Sequence, residues 1–227
     1  PFPDKPVRTG TFESPFPYDK NVLLNIPTDA PAPDDEQFQQ FVNTAVTKLI
    51  EMTGGKTLVL FTSYESLKQT CAYARTQLPD MELLQQGEDD RSRLLQTFKE
   101  HIDSNLFATA SFWAGIDVPG EALSHVILVK LPFAVPSAPL FRARADAIEK
   151  RGGSSFMQLS VPEAVVQFRQ GFGRLMRSQT DRGIVTLLDK RALVKQYGRI
   201  FIDSIPKTKQ CFASLEEIVY TVENFLY

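Results

Sequence analysis

Two apolar rhythms alternate along the chain. Short continuous runs read as strands buried on both faces: "NVLLNI", "TLVLFTS", "NLFATA", "ALSHVILVKLPF" and "GIVTLLD", with "MELLQQ" a weaker case. Between them the apolar positions recur every three or four residues. Phe38, Phe41, Val42, Ala45, Val46 and Leu49 form one helical stripe. Further helices are expected over "YESLKQTCAYARTQL", "DDRSRLLQTFKEHI", "PLFRARADAIEKRG" and the long "VPEAVVQFRQGFGRLMRS", with Pro162 in its first turn; "SLEEIVYTVENFLY" closes the chain. Asp34, Asp35 and Glu36 place negative charge where the first long helix begins, and Thr62 to Glu65 fits a capping box for the next. Strands alternating with helices predict an α/β domain with a mainly parallel sheet flanked by helices on both faces. In such sheets functional residues gather in loops at the carboxyl ends of strands, here "TSYES", "TASFWAGIDVPG", "KLPFAVPSAP" and "LDKRA".

"EMTGGKTLVLFTS" (residues 51–63) raises the question of a phosphate-binding loop. That motif needs Gly, four residues, then Gly-Lys-Ser/Thr, after a strand and before a helix. Counting back from Gly55 and Lys56, the first glycine falls on Ile50. The context is reversed as well, helix before and strand after. The two glycines fit a helix C-terminus, where one residue takes positive φ.

Composition is that of an ordinary globular domain, and 227 residues suffice for one sizeable core. No apolar run is long enough to span a bilayer, so no membrane is expected as a partner. Residues 1–19, rich in Pro and Phe, read as an extended lead-in and resemble the interior of a longer chain; the domain is expected over 20–227. A net charge of −2 argues against a protein that coats nucleic acid, while leaving room for a local groove. Cys71 and Cys211 are far apart with no metal-ligand spacing, which points to a reducing cytoplasm; His101 and His125 are isolated and read as structural.

The richest chemistry lies in "QGFGRLMRSQTDRG" (residues 170–183). Gln170, Gly173, Arg174 and Arg177 spell Q-x-x-G-R-x-x-R. On one continuous helix Gln170, Arg174 and Arg177 share a face, and two guanidiniums beside an amide make a fork for phosphate oxygens. A mid-helix glycine at 173 would allow close approach to a neighbouring backbone. The competing reading is a solvated basic face.

That spacing resembles the sixth motif of superfamily-two helicases. "SFWAGIDVPGEAL" resembles the fifth motif of the DinG/XPD family, "VILVKLPFAVPSAPL" its Lys-Leu-Pro-Phe segment, and "LVLFTSYESL" its fourth motif. "SPFPYDKNVLL" resembles the approach to the family's second motor domain. The order of the motifs is kept from about Ser14 to Pro206, and the resemblance is closer to bacterial DinG-type proteins than to eukaryotic XPD. It implies a RecA-like fold and identifies the chain as the second of two motor domains. The first would carry the P-loop and acidic box, which this sequence lacks; two distant cysteines also cannot supply the four-cysteine iron–sulfur insert many members carry.

By this resemblance, Arg174 and Arg177 act as arginine fingers toward the ATP γ-phosphate, and Gln170 positions phosphate or water. Gly115, Asp117 and Gly173 belong to the ATP side, with Mg²⁺ held mainly by the absent first motor domain. The fifth-motif loop couples ATP state to DNA; it carries Ala114 where Glu is the family pattern. Thr62, Ser63 and Ser111 are candidate ligands of single-stranded DNA phosphates, with helix capping the alternative for Thr62. Phe112 and Trp113 either stack on bases or pack beneath the loop. Arg142 and Arg144 line a backbone groove or form a solvated face. The resemblance thus implies part of an ATP-dependent DNA helicase, inactive as an isolated chain. The alternative is a non-motor RecA-like module that only binds nucleic acid or protein.

Overall fold

The structure is a computed structural model that describes residues 16–109, 112, 123–134, 138–173, 175–176 and 178–226. Among the described residues seven strands form one sheet: β1 (Val22–Pro27), β2 (Thr57–Phe61), β3 (Leu83–Gln85), β4 (Asn105–Thr109), β5 (His125–Leu128), β6 (Gly183–Leu187) and β7 (Lys209–Ala213). Their order is β3-β4-β2-β5-β6-β1-β7, and every pair is parallel. The central strands are buried along their whole length, as continuous apolar runs require when helices cover both faces.

Alternate strand residues feed two cores. Leu24, Leu58, Leu60, Leu106, Val126 and Val185 face one side, where Phe98, Phe168 and Phe201 close the layer. Leu23, Val59, Phe107, Ile127 and Ile184 face the other, against Val42, Leu49, Leu67 and Ile218. The helices, after a short α1 (Tyr18–Asn21), are α2 (Phe38–Thr53), α3 (Tyr64–Gln77), α4 (Arg91–Glu100), α5 (Pro139–Glu149), α6 (Val161–Phe172), α7 (Arg191–Val194), α8 (Gly198–Asp203) and α9 (Leu215–Leu226). A π-helical turn, Phe156–Ser160, leads into α6.

The glycine pair after α2 ends a helix. Gly54 (φ +65°) caps α2, its N–H donating to Ile50 O at 2.9 Å. Gly55 (φ +124°) lies so close to the Asp103 backbone that a Cβ would collide with it, and Lys56 also has positive φ. Three consecutive left-handed residues thus turn the chain from α2 into β2.

Several expectations change. No acidic residue lies in the first turn of α2, which begins at Phe38; instead the Asp35 carboxylate accepts the Gln37 N–H at 2.8 Å. The cap of α3 is Ser63, accepting the Ser66 N–H at 3.4 Å, rather than a Thr62–Glu65 box. The lead-in does not stay apart from the domain: Tyr18 is buried, its ring stacked on Phe172 at 5.6 Å. The long helix expected through residue 178 ends at Phe172. β7 was not foreseen, because "KQCFA" is a half-exposed edge strand with no apolar run.

Candidate functional site

Helices and strands place four groups of candidates. Thr62 and Ser63 are exposed at the carboxyl end of β2, Ser63 serving as the α3 cap. Gln86, directly after β3, has a firm tie to the segment that follows β2. The Gln86 side-chain oxygen accepts from the Thr109 N–H at 2.7 Å and hydroxyl at 2.9 Å, while the Gln86 carbonyl accepts the Tyr64 hydroxyl at 2.8 Å. Gln86 therefore links the segment after β2 to the last residue of β4. Gly87 (φ +97°) permits this, since a Cβ there would run into the Tyr64 hydroxyl.

Phe112 is 5% exposed and belongs to the core, with the Arg91 guanidinium 5.3 Å from its ring centroid. Its ring is not open to a base, so for this residue packing replaces stacking. Ser111, Trp113, Ala114, Gly115 and Asp117 lie outside the described residues.

Gln170 is exposed in the last turn of α6, and Gly173 follows as its C-cap with an ordinary α-helical φ of −68°. A Cβ at 173 would meet the Arg169 carbonyl oxygen at 3.4 Å, which is normal contact, so among the described residues no close backbone approach requires this glycine. Since α6 stops at Phe172, the i, i+4, i+7 alignment of Gln170, Arg174 and Arg177 is not supplied by a continuous helix. Arg174 and Arg177 lie outside the described residues. The two residues between them, Leu175 and Met176, are buried in the core. Leu175 sits against Gly183, where a Cβ would come within 2.9 Å of it. Past this segment Asp181 accepts the Ser178 N–H at 2.8 Å, closing the turn into β6.

At the end of β6, Asp189 is fully buried. Its carboxylate accepts the Leu131 N–H at 3.0 Å and the Arg191 N–H at 3.0 Å, and pairs with the Arg191 guanidinium, whose shortest contact is 2.6 Å. Burial works against the Arg191 charge, but the hydrogen bonds and charge of Asp189 outweigh it and hold the pKa above the ordinary arginine value. Asp189 thus ties the loop after β6 to the loop after β5. Sequence reasoning named "LDKRA" as a functional loop without seeing this role. The one available signal was an Asp two residues before an Arg at a strand end.

Arg144 pairs with Glu163 at 2.9 Å, joining α5 to α6, which favours the solvated-face reading for that residue. His125 is buried and shares a 2.9 Å hydrogen bond with the Thr186 hydroxyl; burial lowers its pKa to about 3. Among the described residues no group of three or more His, Cys, Asp or Glu could hold a metal ion, and no helix is long and apolar enough to cross a membrane.

Comparisons with known proteins bear on this arrangement. The family described as helicase C-terminal domain matches residues 46–208. The ATP-dependent DNA helicase YoaA of Haemophilus influenzae is 36% identical over 211 residues, which cover 93% of this chain and 33% of that protein. The 3'-5' exonuclease DinG of Bacillus subtilis is 38% identical over 209 residues, covering 88% of this chain and 22% of that protein. A solved XPD helicase structure shares the fold with a TM-score of 0.60 at 18% identity, over 85% of this chain and 35% of that one. The chain therefore spans a third or less of the curated relatives it matches here.

Proposed function

Because the chain belongs to the family of helicase C-terminal domains, with DinG and YoaA proteins among its relatives, we propose that it is the second motor domain of an ATP-dependent DNA helicase. In this reading it forms one wall of an ATP site whose P-loop wall, with its Mg²⁺, belongs to a first motor domain. Arg174 and Arg177 reach the γ-phosphate when the two domains close, and Gln170 orients phosphate or water. The guanidiniums neutralise charge that develops on the transferring phosphoryl group, an effect worth ~10³–10⁵ in rate for arginine fingers. Hydrolysis releases the fingers, and the opening and closing moves single-stranded DNA along the carboxyl edge of the sheet, past Thr62 and Ser63. By family resemblance the direction is 5′ to 3′.

The observation that carries the reading is the Gln170–Arg177 segment. It lies within the matched family span, begins with an exposed Gln170 at the end of α6, and is anchored between the arginines by buried Leu175 and Met176. Two buried residues between the arginines fix the backbone that carries them both, which is what positioning a finger requires. The reducing cytoplasm, which keeps the free thiols of Cys71 and Cys211 as they are, is the matching compartment.

The test is DNA-stimulated ATP hydrolysis by the 227-residue chain, by the full-length protein, and by the full-length protein with Arg174→Ala. The expected result is no turnover by the chain, turnover by the full-length protein, and a fall of about 100-fold or more in the variant. Hydrolysis by the isolated chain, or an unaffected variant, would overturn the proposal.

A further inference from the structure

β7 closes the sheet, with β1 on one side and, among the described residues, no strand on the other. The Thr28 N–H donates to the Ala213 carbonyl at 2.8 Å, which fixes how this edge points. In a parallel ladder a residue directs its N–H and C=O to the same side, and the next residue directs its own to the other. Ala213 and Cys211 therefore turn theirs toward β1, and Gln210 and Phe212 present theirs outward. Side chains alternate as well. Cys211 and Ala213 pack into the core under α9, so Gln210 and Phe212 point to the opposite face, where α7 and α8 lie.

A cleft of about 690 Å³ opens between this edge and those two helices. Its apolar wall includes Val194, Ile202, Ile205 and Phe212, of which Val194 is 65% and Phe212 37% exposed. Lys195, Arg199 and Lys207 line the same cleft, with Asp203 as its carboxylate. Asp203 is engaged by Arg199 at 3.0 Å, and among the described residues neither exposed lysine has an ion-pair partner. Lysines beside a sheet edge keep a second copy of that edge away, because like charges would meet across the pair. Deterrence alone does not call for an apolar cleft next to unpaired backbone. The same two charges favour an incoming strand that carries carboxylates. Nucleic acid would satisfy the lysines but leave the outward N–H and C=O groups of Gln210 and Phe212 unpaired.

We propose that β7 and this cleft form a docking edge for an extended acidic segment of another protein. The segment adds a strand to the sheet and exchanges backbone hydrogen bonds with Gln210 and Phe212. Alternate side chains of the added strand face the cleft. An apolar one rests against Phe212, Ile202 and Val194, and a carboxylate two residues on meets Lys195 or Lys207. The inference draws on none of the residues assigned to ATP or DNA, so it stands or falls apart from the reading of the chain as half of a motor.

The test is fluorescence anisotropy of the labelled peptide Glu-Thr-Val-Thr-Glu-Thr-Val-Thr-Glu with the 227-residue chain, against the same peptide with Lys in place of each Glu. In a strand, one face of the first peptide alternates carboxylate and apolar groups. It is expected to bind at least about tenfold more tightly than the second, with an affinity that falls as salt rises. Lys195→Glu with Lys207→Glu changes two exposed side chains and is expected to reverse the order of the two peptides. Gln210→Pro removes an outward N–H and leaves the ladder to β1 in place. It is expected to weaken the acidic peptide at least about fivefold, the worth of roughly one backbone hydrogen bond. An unchanged preference in the double lysine variant would overturn the inference, as would full affinity in Gln210→Pro or no binding by the wild-type chain. So would a wild-type dimer that Gln210→Pro abolishes, which would seat a second copy on the edge, or an oligo(dT) held in preference to the acidic peptide and lost with the lysines. If Gln210→Pro does not fold, the lysine reversal decides by itself.

Discussion

Gln86 holds Thr109 by two hydrogen bonds to one oxygen, 2.7 Å from the backbone N–H and 2.9 Å from the hydroxyl. Thr109 is the last residue of β4, directly before the fifth-motif segment. A net hydrogen bond contributes about 0.5–1.5 kcal/mol, so Gln86→Ala should cost about 1–2 kcal/mol in urea unfolding. Gln86→Glu keeps the acceptor and should recover most of that loss. Equal stability of the alanine variant and the wild type would show that the pair contributes nothing.

The three glycines around the motifs should separate cleanly. Gly55→Ala drives a Cβ into the Asp103 backbone at positive φ, and should cost at least about 2 kcal/mol. Gly54→Ala meets nothing within 4 Å and should cost only the left-handed penalty, about 1–2 kcal/mol. Gly173→Ala, at φ −68°, should be neutral or stabilising by up to about 1 kcal/mol. A loss of DNA-stimulated hydrolysis in a fully stable Gly173→Ala protein would assign that glycine to function rather than to folding.

Removing the charge of Asp189 leaves the Arg191 guanidinium, whose side chain is 28% exposed, without its partner. Asp189→Asn should lower stability by about 3 kcal/mol, the low end for a broken buried pair because solvent reaches part of the arginine. The Leu131 N–H also loses a charged acceptor. A shift in the urea midpoint corresponding to less than about 1 kcal/mol would mean that the pair is dispensable.

His125 gives the fold a pH dependence of known sign. Its folded pKa of about 3 lies below the ordinary value of 6.5, so between these values the unfolded chain binds a proton that the folded one excludes. Stability therefore falls as pH drops through this window, by about 2 kcal/mol between pH 7 and pH 5. Glu88 adds a further loss below this range: its side-chain bond to Arg75 depresses its pKa, a stabilisation lost as acid protonates it. Urea unfolding at pH 7 and pH 5 checks the first effect. His125→Gln should remove most of the difference, and an undiminished fall in that variant would exclude His125 as the source.

The buried sheet was legible because both faces of each central strand are apolar, leaving little choice for runs such as "TLVLF". Edges and ends were less so. β7 draws its place from pairing with β1 and has almost no hydrophobic signal of its own. The Q-x-x-G-R-x-x-R stretch was legible as a motif, but α6 stops at Phe172, where the burial of Leu175 and Met176 takes over from helical periodicity. The cleft beside β7 was invisible for another reason. Val194 and Phe212 line one wall only because β7 returns to pair with β1.

The strand order also sets a clock on synthesis. Of the seven strands β1 is made first, yet it pairs with β6 and β7, its Val22 opposite Gly183. Some 160 residues must leave the ribosome between those partners, about 10–30 s at ordinary elongation rates. Throughout that interval "VLLNI" is an unpaired apolar strand, while β2, β3 and β4 can already associate. The nascent domain thus presents a sticky unpaired strand while most of its own residues are made, and chaperone occupancy of residues 22–26 is expected to end only once β6 has emerged.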